Sequence, residues 1–220
     1  MLTQSVQDYL KAIYKLGAES SPVNTNAIAE RLQVSQASVT GMIKKLAELK
    51  LITHQPYYGV ELTEAGRRIA LEIIRHHRLL ELYLAEALGY PWDRVHDEAE
   101  KLEHHISEEF EARMAEFLGH PEFDPHGAPI PNEDGTIVER QLRPLTEATP
   151  GTRVRIEQVS DRDPEMLRYL DRIGMCLDCE LEIIDRAPFG GPLTVQLGQK
   201  QLHLGEKLTD SIFISEIKGT

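Results

Sequence analysis

Apolar residues recur every three or four positions through most of the first half of the chain, a spacing typical of amphipathic helices. In the first such run, SVQDYLKAIYKL, the residues Val6, Leu10, Ile13 and Tyr14 share one helix face. After residue 151, apolar and polar residues instead alternate in short runs between turns, as they do in β-strands. The pattern therefore predicts a mainly α-helical protein that ends in a small β-domain.

Residues 24–49 predict two short helices joined by a tight turn. Ile28 and Leu32 lie four positions apart on the first helix, and Ser35 is placed to cap the second. The second helix carries a stripe that we expect to be buried: Val39, Met42, Ile43, Leu46 and Leu49. This arrangement predicts a helix-turn-helix.

The opposite face of that second helix is polar and basic, as the face of a recognition helix must be to contact DNA. The residues predicted to face DNA are Ser35, Gln36, Ser38, Thr40, Lys44 and Lys45. The following segment, LITHQPYYGVELT, predicts a hairpin of wing dimensions with Tyr57 as a further DNA contact. A packing module without DNA binding is the alternative, but the basic face and the wing favour DNA.

The pattern divides the chain into four segments. We predict a winged helix-turn-helix domain over 1–63, a helical domain over 64–120, a proline-rich connector over 121–150 and a small β-barrel over 151–220. The barrel segment contains five strand-like runs, and PEMLRYLDRIG predicts one helix between the first two.

The charge of the chain is unevenly distributed. The net charge is −12, but residues 1–75 carry nine Lys/Arg and seven Asp/Glu, a net of +2. Residues 76–220 carry the acidity, part of which a bound divalent cation would offset. No run of 18 apolar residues and no secretion signal is present, so we expect a cytoplasmic protein without a membrane partner.

The only two cysteines, Cys176 and Cys179, form one CxxC. A single pair supplies half of a four-thiolate zinc site. We expect both to pack in the barrel without a disulfide, with a metal or redox role as the alternative.

Histidines and carboxylates recur at helical spacing in the second segment. His77 and Glu81 are four apart in RHHRLLELYL, whereas VHDEAEKLEHHIS is predicted to carry its candidates on one helix face: His96, Glu100, Glu103 and His104. Two such helices facing each other would gather carboxylates that repel one another unless a cation lies among them. The spacing therefore predicts a metal site.

Three neighbouring residues complete this prediction. Asp8 on the first helix is a further candidate ligand, which would tie the DNA-binding segment to the helical core. His76 and His105 are expected to remain on the surface. The predicted dimer contact lies on apolar faces of residues 64–118, where the surplus apolar side chains are Leu79, Leu80, Leu82, Tyr83 and Leu84.

The segments DYLKAIYKL, IAERLQVSQASVTGMIKKL, GVELTEAGRRIA, RHHRLLELYL and VHDEAEKLEHHIS resemble, in this order, the diphtheria toxin repressor family and its manganese-responsive branch. LRYLDRIGMCLDCELEIIDR resembles the family's SH3-like, FeoA-type domain. The resemblance implies a homodimeric repressor that binds palindromic operator DNA when metal is bound and controls metal-uptake genes. It implies no small organic substrate.

The resemblance also implies the site residues. It assigns the regulatory metal to Asp8, Glu100, Glu103 and His104 with His77 alongside, and an ancillary site to His77, Glu81 and His96. The iron-responsive branch has methionine and cysteine where this chain has Asp8 and Glu100. Oxygen donors favour Mn²⁺. Fe²⁺ is the alternative, and Co²⁺, Ni²⁺, Cd²⁺ or Zn²⁺ are expected to substitute in vitro.

This chain departs from its relatives at two places. Some manganese regulators carry a carboxylate where this chain has Lys11, which puts a binuclear site in doubt. In the connector, FDPHG matches a motif that supplies ligands in some relatives, so Asp124 and His126 are candidates. In the barrel segment, SDRDPEM offers three further candidates between which the sequence does not choose: Asp161, Asp163 and Glu165.

Two other classes of function remain as alternatives. A metalloenzyme with helical Glu and His ligands would need a substrate site, and it would leave the winged helix without a role. A winged-helix regulator that senses an organic ligand would leave the acidic cluster solvated. The hypothesis that the sequence favours is metal-dependent operator binding, in which the ion fixes the position of the first helix.

Overall fold

The computed structural model of the chain describes residues 2–18, 20–55 and 58–217. The chain forms two compact units, each assembled from separate stretches. The first comprises Met1–His77, Glu100–Arg113 and Pro131–Ile137, and the second comprises Arg78–Ala99, Met114–Ile130 and Val138–Thr220. Residues 64–120 contribute to both units.

The first unit contains the predicted winged helix. Its elements are α1 (Gln4–Gly17), α2 (Thr25–Leu32), α3 (Gln36–Glu48), β1 (Ile52–Gln55) and β2 (Gly59–Leu62). The two strands pair antiparallel as the wing. The side chains of Asn24 and Ser35 accept backbone N–H groups at the starts of α2 and α3, so the predicted cap at Ser35 is confirmed.

The buried stripe of α3 agrees with the sequence pattern except at its end. Val39, Ile43 and Leu46 are buried and Met42 is half-buried. Leu49 is 45% exposed, so its predicted burial is wrong. The physical reason is that α3 ends at Glu48, and the helical spacing does not extend to Leu49.

Three further helices follow the wing: α4 (Glu64–Glu86), α5 (Val95–Leu102) and α6 (Glu108–Phe117). Glu103 and His104 were predicted on the helix that carries Glu100, but α5 ends at Leu102 and they lie in the turn after it. His105 is exposed as predicted. His76 is buried, so its predicted surface position is wrong.

The leucines of the RHHRLLELYL segment are already buried within the single chain. Leu79, Leu80, Leu82 and Leu84 are all buried within it, and Tyr83 is half-buried. The prediction that these leucines are left for a dimer contact is therefore wrong, because the single chain already buries them. Within residues 64–118, the most exposed large apolar side chains are those of Leu88 (57%) and Phe117 (67%).

The second unit ends in an antiparallel sheet with strand order β3-β8-β4-β5-β6-β7. The strands are β3 (Arg143–Pro144), β4 (Arg153–Val159), β5 (Glu180–Arg186), β6 (Leu193–Leu197), β7 (Lys200–Leu204) and β8 (Ile212–Glu216), with helices α7 (Pro164–Ile173) and α8 (Glu206–Thr209). All five predicted strands and the predicted helix α7 are confirmed. The short β3 and α8 were not predicted.

The alternating pattern of the strands is explained by one core. Val154 and Ile156 of β4 are buried beside Leu181 and Ile183 of β5, and Leu167 of α7 packs in the same cluster. Polar residues between them face outward.

A disulfide joins Cys176 and Cys179 in the turn between α7 and β5. The expectation of unpaired cysteines is therefore wrong. The turn brings the two Cα atoms to 5.6 Å, within the range that a disulfide spans. Cys179 also packs against the core of the sheet, as expected for a barrel cysteine.

Within the described residues, no helix combines the length and the apolar character that crossing a bilayer requires.

Candidate metal centres and nucleic-acid interface

The first centre lies in the first unit, where α1 meets the turn after α5. Nε2 of His104 lies 2.8 Å from Oδ1 of Asp8 and 3.3 Å from Oε1 of Glu103. The ligand atoms of these three residues all lie within 4.8 Å of one another. The amphipathic register of α1 turns Asp8 toward the turn, and Glu103 is fully buried.

The imidazole of His104 is oriented for ligation. Its Nδ1 donates a hydrogen bond to Oε1 of Gln7, at 2.9 Å. This bond leaves the lone pair on Nε2, which is buried and makes no hydrogen bond to any described residue, although carboxylate oxygens lie near it. A buried acceptor that faces two carboxylates fits a bound cation and is costly without one.

A second triad of ligand atoms shares Glu103 with the first: His77, Glu100 and Glu103. His77 is buried on α4, and Glu100 comes from the last turn of α5. The ammonium of Lys11 donates to Oε1 of Glu100 at 2.6 Å and to Oε2 of Glu103 at 2.7 Å. The predicted ligands of the regulatory site are therefore brought together, with a lysine among them.

The acidity of Asp8 reflects this crowding. Burial raises the pKa of the Asp8 carboxyl above its usual value. His104 lowers this pKa when both of its ring nitrogens are protonated, whereas the charges of Glu103 and Glu100 raise it further. Such opposing charges are resolved when a cation binds among the carboxylates.

His76 supports the turn that carries the first centre. Its Nδ1 lies 3.2 Å from the carbonyl oxygen of Glu103, and its Nε2 lies 2.7 Å from Glu111. Burial lowers the pKa of His76, but the hydrogen bond and charge of Glu111 outweigh it, and the pKa is raised. Arg75 completes the pairing by donating from Nε to Glu111.

The second centre lies in the second unit. Glu81 of α4 is fully buried, and its ligand atom lies within 4.8 Å of those of Asp124 and His126 from the connector. Nδ1 of His96 lies 3.1 Å from Oε1 of Glu81 and 3.3 Å from Oδ2 of Asp161. Glu81 thus faces both the connector pair and the pair formed by His96 and Asp161.

The connector turn fixes the direction of its two donors. Oδ1 of Asp124 accepts the backbone N–H groups of His126 and Ala128 at 2.8 and 2.9 Å. Nε2 of His126 donates to the carbonyl of Trp92 at 2.8 Å. This fixes the tautomer and leaves Nδ1 of His126 buried, with no hydrogen bond to any described residue.

Gly127 makes this turn possible. Its φ is +84°, and a Cβ at this position would lie 2.1 Å from the carbonyl oxygen of Glu157. Any other residue would have to move the backbone that carries His126.

The pKa values of two groups at the second centre are strongly shifted. Burial lowers the pKa of His96, but hydrogen bonds and charges from Asp161 and Glu81 outweigh it and raise the pKa to about 10. Burial, with the charge of Glu81, raises the pKa of Asp124 to about 6, against the nearby charge of Arg78. The His96 imidazole is therefore protonated at neutral pH in the absence of another cation.

Of the three candidates in SDRDPEM, only Asp161 lies at the second centre. The carboxylate of Asp163 caps α7 by accepting the backbone N–H groups of Glu165 and Met166, and Asp163 is not in any of the ligand clusters of the described residues. Glu165 is exposed in the first turn of α7. A helix cap competes for the same side-chain oxygens, which the sequence pattern did not reveal.

Both centres consist of carboxylate oxygens and imidazole nitrogens. Hard oxygen donors with imidazole suit Mn²⁺ and Fe²⁺, whereas the two cysteines are joined to each other in the disulfide. The unbonded Nε2 of His104 and Nδ1 of His126 supply one lone pair to each centre. The described residues therefore fit divalent cations at both places.

The predicted DNA-reading residues lie on the exposed side of α3 and at its cap. Ser35, Gln36, Ser38, Thr40, Lys44 and Lys45 are all exposed, whereas Tyr57 lies outside the described residues. Nε2 of Gln36 donates to Oδ1 of Asn26 at 2.8 Å, which links α3 to α2. Tyr58, the next residue after Tyr57 in the sequence, is 75% exposed.

Sequence reasoning missed residues that act through others. Gln7 and Trp92 orient the two histidines through hydrogen bonds, and neither belongs to the clusters of ligand residues. Gln7 could have been found, because it precedes Asp8 and shares the helix face of Lys11. The contact by Trp92 uses its backbone carbonyl, for which no sequence signal exists.

Three protein families match consecutive parts of the chain. Residues 1–60 match the iron dependent repressor N-terminal DNA binding domain. Residues 63–132 match the iron dependent repressor metal binding and dimerisation domain, and residues 143–216 match the FeoA domain.

Complete proteins and solved structures are also similar. The diphtheria toxin repressor of Corynebacterium diphtheriae is 30% identical over 98% of this chain and 99% of its own. The iron-dependent repressor IdeR of Mycobacterium leprae is 28% identical over 98% of this chain and 99% of its own. A manganese-dependent transcriptional repressor solved in complex with manganese is 40% identical with a TM-score of 0.88, covering 96% of this chain and 100% of its own.

Proposed function

Since the chain belongs to the diphtheria toxin repressor family of metal-dependent transcriptional repressors, we propose that it is a manganese-responsive repressor. Its relatives are regulators and not enzymes, so the metalloenzyme alternative is excluded. The genes under its control are, on this proposal, those of metal uptake, and it acts in the cytoplasm.

The convergence of Asp8, Glu103 and His104 is the observation that carries the proposal. Asp8 belongs to the first helix of the winged helix, whereas Glu103 and His104 belong to the turn after α5. A site built from both segments couples the position of α1 to its own occupancy. The bound ion supplies the positive charge that allows these carboxylates to share a buried space.

The donor set supports manganese as the effector. Asp8 and Glu100 provide hard oxygens, and no thiolate or thioether stands among the described ligand atoms of the first centre. The relative that shares 40% identity was solved in complex with manganese. Glu81, His96, Asp124, His126 and Asp161 form the proposed ancillary site.

The proposed assembly is a homodimer on a palindromic operator. The match to a dimerisation domain supports the dimer, as does the exposure of the apolar Phe117 side chain. The ring of Phe117 meets that of Tyr83 edge to face, with 5.7 Å between the ring centroids. Two copies of α3 would then contact successive major grooves of one operator. Lys44 and Lys45 are exposed on α3, where they can reach phosphate oxygens.

The test is operator binding across a series of divalent ions, measured by fluorescence anisotropy with the full-length protein. We expect Mn²⁺ to strengthen binding by roughly 5- to 150-fold, the range of typical allosteric coupling. Fe²⁺ is tested without oxygen. A larger response to Fe²⁺ than to Mn²⁺ at cellular concentrations would identify an iron-responsive repressor instead.

A variant of the first centre completes this test. Glu100→Ala should abolish the response to Mn²⁺, whereas Glu116→Ala, on the separate helix α6, should retain it. Equal operator affinity with and without metal in the unmodified protein would refute the proposal.

A further inference from the structure

A polar side chain of α2 holds the carboxamide of Gln36. Nε2 of Gln36 donates to Oδ1 of Asn26 at 2.8 Å, although the two residues lie ten positions apart in the sequence. Gln36 is the first residue of α3, and Asn26 is the second residue of α2. Both side chains are exposed. The bond therefore fixes a side chain at the N-terminal end of α3, which is the end of a recognition helix that contacts base edges.

Caps and packing fix the backbone at both ends of this bond. The side chain of Asn24 accepts the backbone N–H of Asn26 at 2.8 Å, at the start of α2. Ser35 caps α3 and directly precedes Gln36. The buried sides of both helices belong to one core cluster. The two amide side chains therefore extend from backbone positions that are held in place before DNA binds.

Gln36 differs from the other polar residues of α3 in the hydrogen bonds that it can still make. Thr40 donates its hydroxyl hydrogen to the carbonyl oxygen of Gln36 at 2.9 Å. The hydroxyl oxygens of Ser35 and Ser38 lie 2.9 Å apart and share a hydrogen bond. A carboxamide has two N–H hydrogens and one oxygen, and the bond to Asn26 uses one hydrogen. Gln36 therefore keeps both a donor and an acceptor in a fixed orientation.

Adenine is the base that matches this remaining pair in the major groove. Its N6 amino group donates and its N7 accepts, so the carboxamide oxygen and the second N–H can bind both together. Guanine presents two acceptors there, cytosine a donor and thymine an acceptor, so none of them pairs with both groups of the carboxamide. A side chain that is oriented in advance also loses less conformational entropy when it binds.

We propose that Gln36 reads one adenine in each half of the operator and that Asn26 is the positioning residue that orients it. This inference rests on the proposed function, in which α3 enters the major groove of operator DNA. Lys44 and Lys45 then contribute affinity without sequence information, whereas Gln36 contributes preference for one base pair. The start of α2 takes part in recognition because Asn26 acts through the side chain of Gln36.

Selection of an operator provides the DNA for the test. A randomised double-stranded library is selected with the full-length protein and Mn²⁺, and each base pair of one half-site is then replaced in turn. Fluorescence anisotropy measures the affinity for each duplex. We expect one A·T pair whose replacement weakens binding of the unmodified protein by about 5- to 150-fold, as for other bidentate contacts.

The same A·T pair should no longer matter to Gln36→Ala. This variant should bind the selected duplex and the duplex replaced at that pair equally well, and it should keep its preferences at the other positions. Gln201→Ala, exposed in β7, is the matched control and should retain the preference of the unmodified protein. Preferences that all survive Gln36→Ala, or a loss confined to a G·C pair, would overturn the proposal.

Substitution of 7-deazaadenine at this pair tests the contact without any change in the protein. The modified base has a C–H group in place of N7 and keeps its base pairing. The unmodified protein should bind this duplex more weakly by about 2- to 12-fold, the usual contribution of one hydrogen bond. Gln36→Ala should not distinguish the two duplexes. Equal binding of both by the unmodified protein would overturn the assignment of adenine.

Two substitutions of Asn26 separate positioning from a structural role. Asn26→Ala removes the acceptor, and discrimination at the same A·T pair should fall by about 2- to 12-fold. Asn26→Asp keeps an acceptor oxygen and cannot donate, so it should retain the discrimination while its charge weakens binding to all DNA. Unchanged discrimination in Asn26→Ala, or an equal loss of discrimination in both variants, would overturn the positioning role.

These outcomes are distinct from a failure of the proposed function. The substituted side chains are exposed, and circular dichroism verifies that each variant is folded. If a variant is not folded, the 7-deazaadenine result for the unmodified protein decides. Mn²⁺-dependent operator binding with unaltered base preferences in Gln36→Ala would refute this inference and leave the proposed function intact. Operator binding that ignores Mn²⁺ would refute the proposed function, whichever bases are read.

Discussion

Oδ1 of Asp8 lies 2.8 Å from Nε2 of His104, so the first helix of the DNA-binding domain contacts the turn after α5 through two ligand-type side chains. Burial raises the pKa of the Asp8 carboxyl, and the charges of Glu103 and Glu100 raise it further. This contact is the point at which ion binding can act on the position of α1.

Asp8→Asn keeps the size of the side chain and removes its negative charge. We expect the manganese-dependent gain in operator affinity to fall by roughly 5- to 150-fold, which is the whole coupling in typical systems. Anisotropy titrations with and without Mn²⁺ measure it. Asp171→Asn, at an exposed position of α7, is the control, and a full manganese response in Asp8→Asn would contradict the mechanism.

Gln7→Ala tests the support of His104. The substitution removes the acceptor that fixes Nδ1 of His104, so the imidazole loses its preferred tautomer and direction. We expect manganese affinity at the first centre to fall by about 10- to 100-fold, as for other residues that orient metal ligands. Calorimetry should show this loss with unchanged thermal unfolding of the metal-free protein. Gln4→Ala, exposed on the same helix, should behave as the unmodified protein does.

Metal binding at the second centre should depend on pH. In the metal-free chain the pKa of Asp124 is raised from 3.8 to about 6, and that of His96 from 6.5 to about 10. Because both are raised, each contributes stability below its unfolded pKa, and that stability is lost as pH rises through about 6 and about 10 respectively. Manganese must displace the His96 proton, so its affinity should rise between pH 6 and 9.

Calorimetry of Asp8→Asn in buffers of different ionisation enthalpy measures this proton release, because the substitution weakens the first centre. We expect about one proton released per ion near pH 8. A manganese affinity that does not change across this pH range would show that His96 is not a ligand.

Lys44→Ala tests the DNA-binding face. The substitution should weaken binding to operator and to unrelated DNA alike, because an interaction with phosphate carries no sequence information. The slope of log affinity against log salt should decrease by about 0.9 for each phosphate that the variant no longer neutralises. Lys200→Ala, exposed in β7, should leave the slope unchanged. Weaker binding confined to the operator sequence would instead identify Lys44 as a base reader.

Gly127→Ala tests the connector turn. The added methyl would meet the Glu157 carbonyl, and the residue would keep a positive φ that alanine rarely adopts. We expect the second centre to lose manganese, because Asp124 and His126 move with the turn, while the first centre keeps its ion. Anomalous diffraction distinguishes the two centres, and full occupancy of both would contradict the role of this glycine. Gly151→Ala is the control for φ alone, since no atom crowds its Cβ position.

The helical and strand patterns predicted the elements of this fold well. The spacing of Val39, Ile43 and Leu46 predicted the buried side of α3, and alternation predicted all five strands. The pattern placed Leu49 and Glu103 on helices that end one residue before them. Periodicity shows which side of a helix is apolar, and it does not show where the hydrogen bonds of the helix end.

The candidate site was harder to predict in detail. The spacing of Glu103 and His104 indicated a shared metal site, and the family resemblance assigned Asp8 to the same site. The sequence did not choose between Asp161 and Asp163, because a helix cap and a metal use the same oxygens. The predicted surface position of His76 was wrong, since the sequence does not show that this residue pairs with Glu111 of another helix. Such competition is decided by tertiary contacts, which a single sequence does not display.

The end of α5 at Leu102 has a consequence for how the protein distinguishes ions. Glu103 and His104 are held by a turn, whose backbone torsions adjust more readily than those of a helix. Their donor atoms can therefore close around a small ion or open around a larger one. We expect several ions of different radius to bind with comparable strength. Discrimination between them then depends on how far each ion draws Asp8 toward the site and so aligns the recognition helix α3 with the operator.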